Sequence, residues 1–307
     1  LILYVVPINV SGNYVSVPYN TGTLQNRGVD LTVSGTILSS KKLNWNASLV
    51  MGTFTNKVIA FGLGSAYNNG FARISGGSLR TDIGLPANFF YGFKTEGIFQ
   101  TYEEIAKSPV QTAGTDPSTS TAPGDIKFAD INGDGKIDDK DRTNLGNSFP
   151  QFTYGINNTI SYKGFELRIF IQGSQGNKVL NFTRWYTEGG VSNGNYSKDV
   201  INRWTGPNTS NTLPRLILND PNGNNRVSDR FVEDASYIRI KNVRLAYTLT
   251  EKWAKFAGLG KVQFYGSIQN LLTLTKYTGL DPEVGGGVDY GFYPQARTFL
   301  GGVTIDF

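Results

Sequence analysis

Gln151-Phe-Thr-Tyr-Gly-Ile-Asn-Asn-Thr-Ile-Ser-Tyr162, followed at once by Lys163-Gly164 and Phe165-Glu-Leu-Arg-Ile-Phe-Ile171, decides the fold. Phe152, Tyr154, Ile156, Ile160 and Tyr162 share one parity, broken only by Asn158, while Thr153, Gly155, Asn157, Thr159 and Ser161 share the other. A strand sends successive side chains to opposite faces, so one face of this segment is apolar and the other small and polar. Aromatic residues near both ends of the apolar face match the two interfacial girdles of an outer-membrane barrel strand. A soluble sandwich also alternates, but tyrosines seldom bracket its inward face.

The alternation recurs on both sides of this stretch. Val29, Leu31, Val33 and Ile37 alternate with Asp30, Thr32, Ser34 and Thr36, and Leu43, Trp45, Ala47, Leu49 and Met51 with Asn44, Asn46 and Ser48. Further on, Phe165, Leu167, Ile169 and Ile171 oppose Glu166, Arg168 and Gln172, and Val262, Phe264 and Ile268 oppose Gln263, Ser267 and Gln269. The chain ends on Phe299, Val303, Ile305 and Phe307. Between residues 237 and 249 the phase slips, because Ile238 and Ile240 share one parity and Val243, Leu245, Tyr247 and Leu249 the other. One extra residue near Lys241-Asn242 predicts a β-bulge there.

Connections differ sharply in length. Residues 39–42, 163–164 and 250–260 are short, whereas 58–149, 177–235 and 276–294 are long and rich in Gly, Asn and Ser. Short turns on one side and long loops on the other are the pattern of an antiparallel transmembrane β-barrel. Strand parity then makes 58–149 a single extracellular insertion and the other two long segments extracellular loops. Counting a fragmentary strand at 1–10, about eight strands are expected, either as a small closed barrel or as the last strands of a larger one. Loops this large, and a chain opening on Leu1, favour the larger barrel.

Composition removes competing chemistries. With Cys 0 and His 0 there is no disulfide, thiolate metal site, cysteine nucleophile, Ser-His-Asp triad or histidine base. The reading is therefore not an enzyme. Net charge is +5, but no basic run exceeds Lys41-Lys42, which argues against nucleic acid as a partner. No apolar stretch approaches the roughly 20 residues of a membrane helix, which leaves a barrel untouched.

One motif carries chemistry: Asp130-Ile-Asn-Gly-Asp-Gly-Lys-Ile-Asp-Asp-Lys-Asp141. It fits the opening of a calcium loop, whose alternate side chains wrap hard oxygens around one point. Asp130, Asn132 and Asp134 offer side-chain oxygens, Lys136 its backbone carbonyl, Asp141 the final position and Asp138 a direct or water-mediated contact. Asp at the last position is a shorter arm than the usual Glu. Ca2+ is expected to order an insertion with little core of its own. Arg184-Trp185-Tyr186 and Arg203-Trp204 could stack on a sugar or engage a partner, or pack the loop on itself. Lumen-facing Glu166, Arg168, Arg239 and Arg244 either line a pathway or are merely solvated. Gly285-Gly-Gly287 reads as a flexible loop tip.

Several segments together resemble the C-terminal part of SusC/RagA-type TonB-dependent transporters. They are Gly124-Asp-Ile-Lys-Phe-Ala-Asp-Ile-Asn-Gly-Asp-Gly-Lys-Ile-Asp139, Pro150-Gln-Phe-Thr-Tyr-Gly155, Ser228-Asp-Arg-Phe-Val-Glu-Asp-Ala-Ser-Tyr-Ile-Arg-Ile-Lys-Asn242, Gln269-Asn-Leu-Leu-Thr273 and Gly279-Leu-Asp-Pro-Glu283. Asn26-Arg-Gly-Val-Asp30 and Glu96-Gly-Ile-Phe-Gln100 extend the match upstream. The resemblance implies a barrel of about 22 strands in the outer membrane of Bacteroidota, plugged by an N-terminal domain. It implies import of oligosaccharides or oligopeptides with a SusD-like surface lipoprotein, energised by the TonB complex through an N-terminal TonB box. Plug and TonB box would lie outside residues 1–307, and Phe307 resembles the aromatic terminus read by barrel-assembly machinery. The rival reading is a calcium-dependent cell-surface β-sandwich that binds carbohydrate.

Overall fold

A computed structural model describes residues 2–7, 16–61, 67–70, 78–189, 194–256 and 258–306; Phe307 lies outside them. Eight strands form one antiparallel sheet: β1 (Ile2–Pro7), β2 (Ser16–Ser39), β3 (Leu43–Ala60), β4 (Phe152–Tyr162), β5 (Phe165–Gln175), β6 (Tyr237–Thr248), β7 (Lys261–Thr275) and β8 (Thr298–Asp306). Their spatial order follows the sequence, so every connection joins neighbours, as in an up-and-down barrel. Among the described residues β1 and β8 stand at opposite ends of that order, and the sheet does not close on itself. The small closed barrel is thereby excluded, and a section of a larger one fits.

Register turns separate alternations into two continuous faces. Ala47, Asn158, Ile169, Val243, Ile268 and Phe299 form one transverse row, and Trp45, Ile160, Leu167 and Leu245 the next. The opposite face reads Thr36, Asn46, Thr159, Arg168, Arg244 and Ser267 in the corresponding row. A slip of one residue at any pairing would put polar side chains among the apolar rows, so the side-chain pattern itself holds the register. The expected bulge is present: pairing shifts between Ile240 and Asn242, opposite a shift between Phe170 and Ile171. A second bulge, between Thr36 and Leu38, carries Leu38 onto the apolar face opposite Trp45. Simple alternation gives that place to Ile37; the extra residue reverses the parity.

β2 runs for 24 residues and β3 for 18, well beyond the roughly 9–11 that cross a bilayer. Their upper ends rise into a cap made by residues 78–149, 177–189, 194–235 and 276–294. Two short helices, α1 (Tyr102–Ala106) and α2 (Phe182–Glu188), lie in the cap; at the other end the connections are short, and the last of them contains a helical turn, α3 (Glu251–Phe256). No described helix is long and apolar enough to cross a membrane, which says nothing of a barrel.

Candidate functional site

The polar face of the sheet is the first component. Glu166 accepts from Arg168 at 2.8 Å and from Arg244 at 3.2 Å, and Arg244 also donates to Gln263 at 3.0 Å. Arg168 is exposed and Glu166 and Arg244 are half-buried, and together with Gln263 they form a strip across β5, β6 and β7. Arg239 behaves differently. It is buried at 2% exposure, donating to Asp281 at 2.7 Å, to Glu283 and to Thr273 at 2.7 Å. Lys241 and Tyr237 also donate to Glu283, at 3.1 and 2.8 Å. Asp281-Pro-Glu283 therefore clamps the third long segment onto the wall, and Arg239 lines no open pathway.

The cap is the second component, and here one expectation is corrected. The three long segments do not behave as separate loops, and the insertion does not lack a core. Phe90 and Leu145 from the first segment, Leu180, Val227, Phe231 and Val232 from the second, and Val288 from the third pack into one buried cluster. A second cluster joins Phe93, Ile126, Phe128 and Ile137. Burying each such side chain stabilises the cap by about 1.5–3 kcal/mol. Backbone pairing crosses the same boundaries, since Lys178–Asn181 pairs with Val232–Asp234 and with Val288–Asp289.

Buried polar groups lock the first segment to the second. Asp125, wholly buried, accepts from Arg215 at 2.7 and 2.8 Å, from the Asn224 amide at 2.9 Å and from the Ala122 backbone at 2.9 Å. Asn222, also wholly buried, accepts from Gln111 and Thr121 and donates to the Ile126 carbonyl and Asn224. Asp220 accepts the backbone amides of Asn224 and Asn225, yet burial raises its pKa above the ordinary carboxylate value. Asp220-Pro-Asn-Gly-Asn-Asn-Arg226 reads as an exposed turn in sequence, which is why sequence reasoning passes over it.

The calcium-type loop is stapled to the cap at its eighth position. Ile137 sits in the second cluster and donates to the Val110 carbonyl at 2.9 Å, while Val110 donates to Gly135 at 3.0 Å. Gly133 and Gly135 take positive φ, 74° and 79°, as the sharp turn requires. Asp130 accepts the Gly133 and Gly135 amides, and the Gly135 bond leads the effects that lower its pKa. Asn132 and Asp134 accept the amides two residues ahead, and Asp138 caps a short turn. Asp141, fully buried, accepts from Ile131 and Asp138 at 2.9 and 2.8 Å. The Lys136 amide donates to Asp134 at 3.1 Å. The donor set is hard oxygen in calcium-loop order and fits such a cation chemically. Among the described residues, however, no group of three or more acidic side chains is gathered on a common point.

The aromatic candidates divide. α2 (Phe182–Glu188) carries Arg184, Trp185 and Tyr186. Arg184 is paired to Glu188 at 3.0 Å and Glu233 at 2.7 Å, and these carboxylates raise its pKa against the effect of burial. Trp185 stacks on Phe182 and donates to the Asn225 carbonyl at 2.8 Å. Trp204 donates to Gln100 at 3.0 Å and lies so close to Gly124 that a Cβ there would meet its ring at 2.4 Å. Arg203 bonds the Val200 carbonyl. These four pack the cap on itself; Tyr186 alone is well exposed. Beside α2, Thr183, Arg184, Thr187, Asp199, Thr278 and Asp289 border a cavity of about 470 Å³. Of Gly285–Gly287, the first two are exposed with open space around them, as a loop tip would be, whereas Gly287 is buried and a Cβ there would meet Ser148 at 2.5 Å.

With this geometry in place, the comparisons are specific. No protein-family model matches the chain. TonB-dependent receptor P3 of Formosa agariphila is 32% identical over 303 residues, covering 94% of this chain and 29% of that protein. TonB-dependent receptor SusC of Bacteroides thetaiotaomicron is 28% identical over 98% of this chain and 28% of its own length. The solved RagAB peptide transporter superposes with a TM-score of 0.76 and 26% identity, over 96% of this chain and 30% of that one. The chain thus spans roughly 30% of the length of the relatives it matches. Relatives that are receptors and transporters agree with a protein that is not an enzyme.

Proposed function

We infer, for a chain that is homologous over almost its whole length to SusC/RagA-type TonB-dependent receptors and forms part of such a barrel, that it supplies barrel wall and external cap to an outer-membrane importer. The observation that carries this is the two-faced sheet. Its apolar rows stay uncovered, with Val29 68% and Phe299 69% exposed, while the other face bears the Glu166–Arg168–Arg244 strip. A β-sandwich would bury those rows against a second sheet, so the carbohydrate-binding sandwich fails on the same observation. Lipid covers the apolar face, and the polar face lines the lumen.

In this reading the long segments are extracellular and the short turns periplasmic, in the outer membrane of a Gram-negative bacterium of the Bacteroidota. Energy enters through the TonB complex, and the cap faces a SusD-like surface lipoprotein. Cargo is an oligopeptide or oligosaccharide; the relative solved as a peptide transporter favours peptide. The test is uptake of labelled oligopeptides and oligosaccharides by cells in which the gene for the full receptor is deleted and then restored. Peptide uptake that falls on deletion and returns on restoration supports the reading. Uptake of both classes unchanged by deletion sinks it.

The cap is further proposed to hold Ca2+ on Asp130, Asn132, Asp134, Lys136, Asp138 and Asp141. Support comes from the donor chemistry, the two positive-φ glycines and the staple at Ile137. The ion would draw these carboxylates onto one point and stiffen residues 130–141. Isothermal titration of the full receptor should show calcium binding that D130N and D134N together abolish. Chelation should speed proteolysis within 125–145; equal cleavage with and without calcium would overturn the assignment.

A further inference from the structure

The end of the sheet opposite the cap is basic. Its short connections bring Lys41 and Lys42, then Lys163, then Lys252 and Lys255 against the single acid Glu251, while Lys261 stands opposite Asp306 on the polar-face parity. Lys41, Lys42, Lys163 and Lys252 are exposed, and no ion pair among the described residues engages them. Acidic residues outnumber basic ones in 78–149 at the other end, so the charge is asymmetric along the strands.

Immediately inside the lysines runs the last apolar row, where Leu43 pairs with Tyr162, Tyr162 with Phe165, Phe165 with Tyr247 and Tyr247 with Phe264. The Phe165 and Tyr247 rings lie 4.6 Å apart, and the Lys163 ammonium is 5.3 Å from the Tyr162 ring centre. α3 adds two aromatics at i and i+3, and so on one helix face: Trp253, 65% exposed, and Phe256, 86% exposed. Two bare rings beside free lysines are costly in water and favourable at a membrane surface. There the rings enter the boundary and ammonium groups meet phosphate.

We propose that this rim is a belt for anionic phospholipid headgroups, with α3 as an interfacial anchor. Phospholipid is favoured over a protein partner because the Lys163 ammonium lies over Tyr162 of the last apolar row, so charge and lipid-facing ring meet at one edge. Free ammonium point charges also suit phosphate rather than a shaped surface. The belt holds the barrel at a fixed depth and rotation in its leaflet, and the proposal rests on the membrane-barrel reading above.

The test uses the full receptor in nanodiscs of phosphatidylethanolamine with and without phosphatidylglycerol. Native mass spectrometry would count the lipid retained. Replacing Lys41, Lys42, Lys163 and Lys252 by Gln should cut phosphatidylglycerol retention at least about tenfold, with recovery when all four are Arg. A control pair on the cap, K107Q with K198Q, should change nothing. Brominated phosphatidylglycerol should quench the fluorescence of the parent receptor more than that of W253F. Equal retention by the Gln variant and the parent would overturn the belt. Failure of the receptor to enter nanodiscs as a folded barrel would instead overturn the membrane reading beneath it.

Discussion

The sheet and the cap solve opposite problems with the same chain. In the sheet, Val29, Leu31, Val33 and Leu38 stand uncovered in their rows, whereas in the cap Phe89, Phe90, Phe128 and Phe231 are almost wholly buried. The reverse holds for polar groups: the sheet spreads Thr, Ser, Asn and Arg along one open face, and the cap buries Asp125, Asn222 and Asn224. The difference teaches which medium each part meets. A segment surrounded by lipid on one side needs no protein core, while a segment in water must build one from whatever lies nearby. In this molecule that core is drawn from three segments far apart in sequence.

The sharpest way to break the contrast is to remove Arg215. Its Ala variant strands the fully buried Asp125 carboxylate, and loss of one partner of a buried ion pair costs about 3–5 kcal/mol. Proteolysis should then open the cap, while the eight strands keep their heat-modifiable migration in gels. Cleavage confined to the sheet would contradict two separately stabilised regions. The converse substitution is Ile169→Arg in the middle apolar row. A cation at the bilayer midplane should cost about 2–4 kcal/mol and lower folded yield in lipid, whereas Thr159→Arg on the polar face should be nearly silent.

A smaller effect is expected at Asn222. Replacing it by Ala orphans several buried partners at about 1–3 kcal/mol, measured as a lower unfolding temperature of the cap alone. Smallest is a pH response at Asp281. Burial opposes its charge, but the Gln295 and Glu283 amides and Arg239 hold its pKa below the usual 3.8. Its contribution is therefore complete above that value and is lost as pH falls through the depressed one. Hydrogen exchange in 276–294 should rise only at strongly acidic pH, and D281N should show that faster exchange already at pH 7.

Sequence reading was strong where period and lipid coincide. Residues 151–171 fix two strands and a turn, and the parity slip locates the bulge at Lys241-Asn242, because a period of two leaves an extra residue nowhere to hide. It was weak wherever contacts bridge long separations. Trp185, Trp204 and Arg184 are ambiguous by composition, since a packing aromatic and a ligand-stacking one are the same residue. Parity reads Ile37 into the apolar row at the place the structure gives to Leu38, because nothing local marks the bulge at Thr36. The Asn-rich run 222–225 looks like a solvated turn until its amides are seen paired inside the cap.

By itself, then, the sequence determined the antiparallel strands, their two-faced character, the sides on which long and short connections fall, and the oxygen-rich loop at 130–141. Each of these is written in residues close together in the chain. The tertiary structure decided that the sheet is an open section, that Arg239 is clamped by Asp281 and Glu283, and that three loops make one cap. Those outcomes depend on pairings such as Arg215 with Asp125 and Leu180 with Val288, whose partners lie tens of residues apart and announce themselves only once folded.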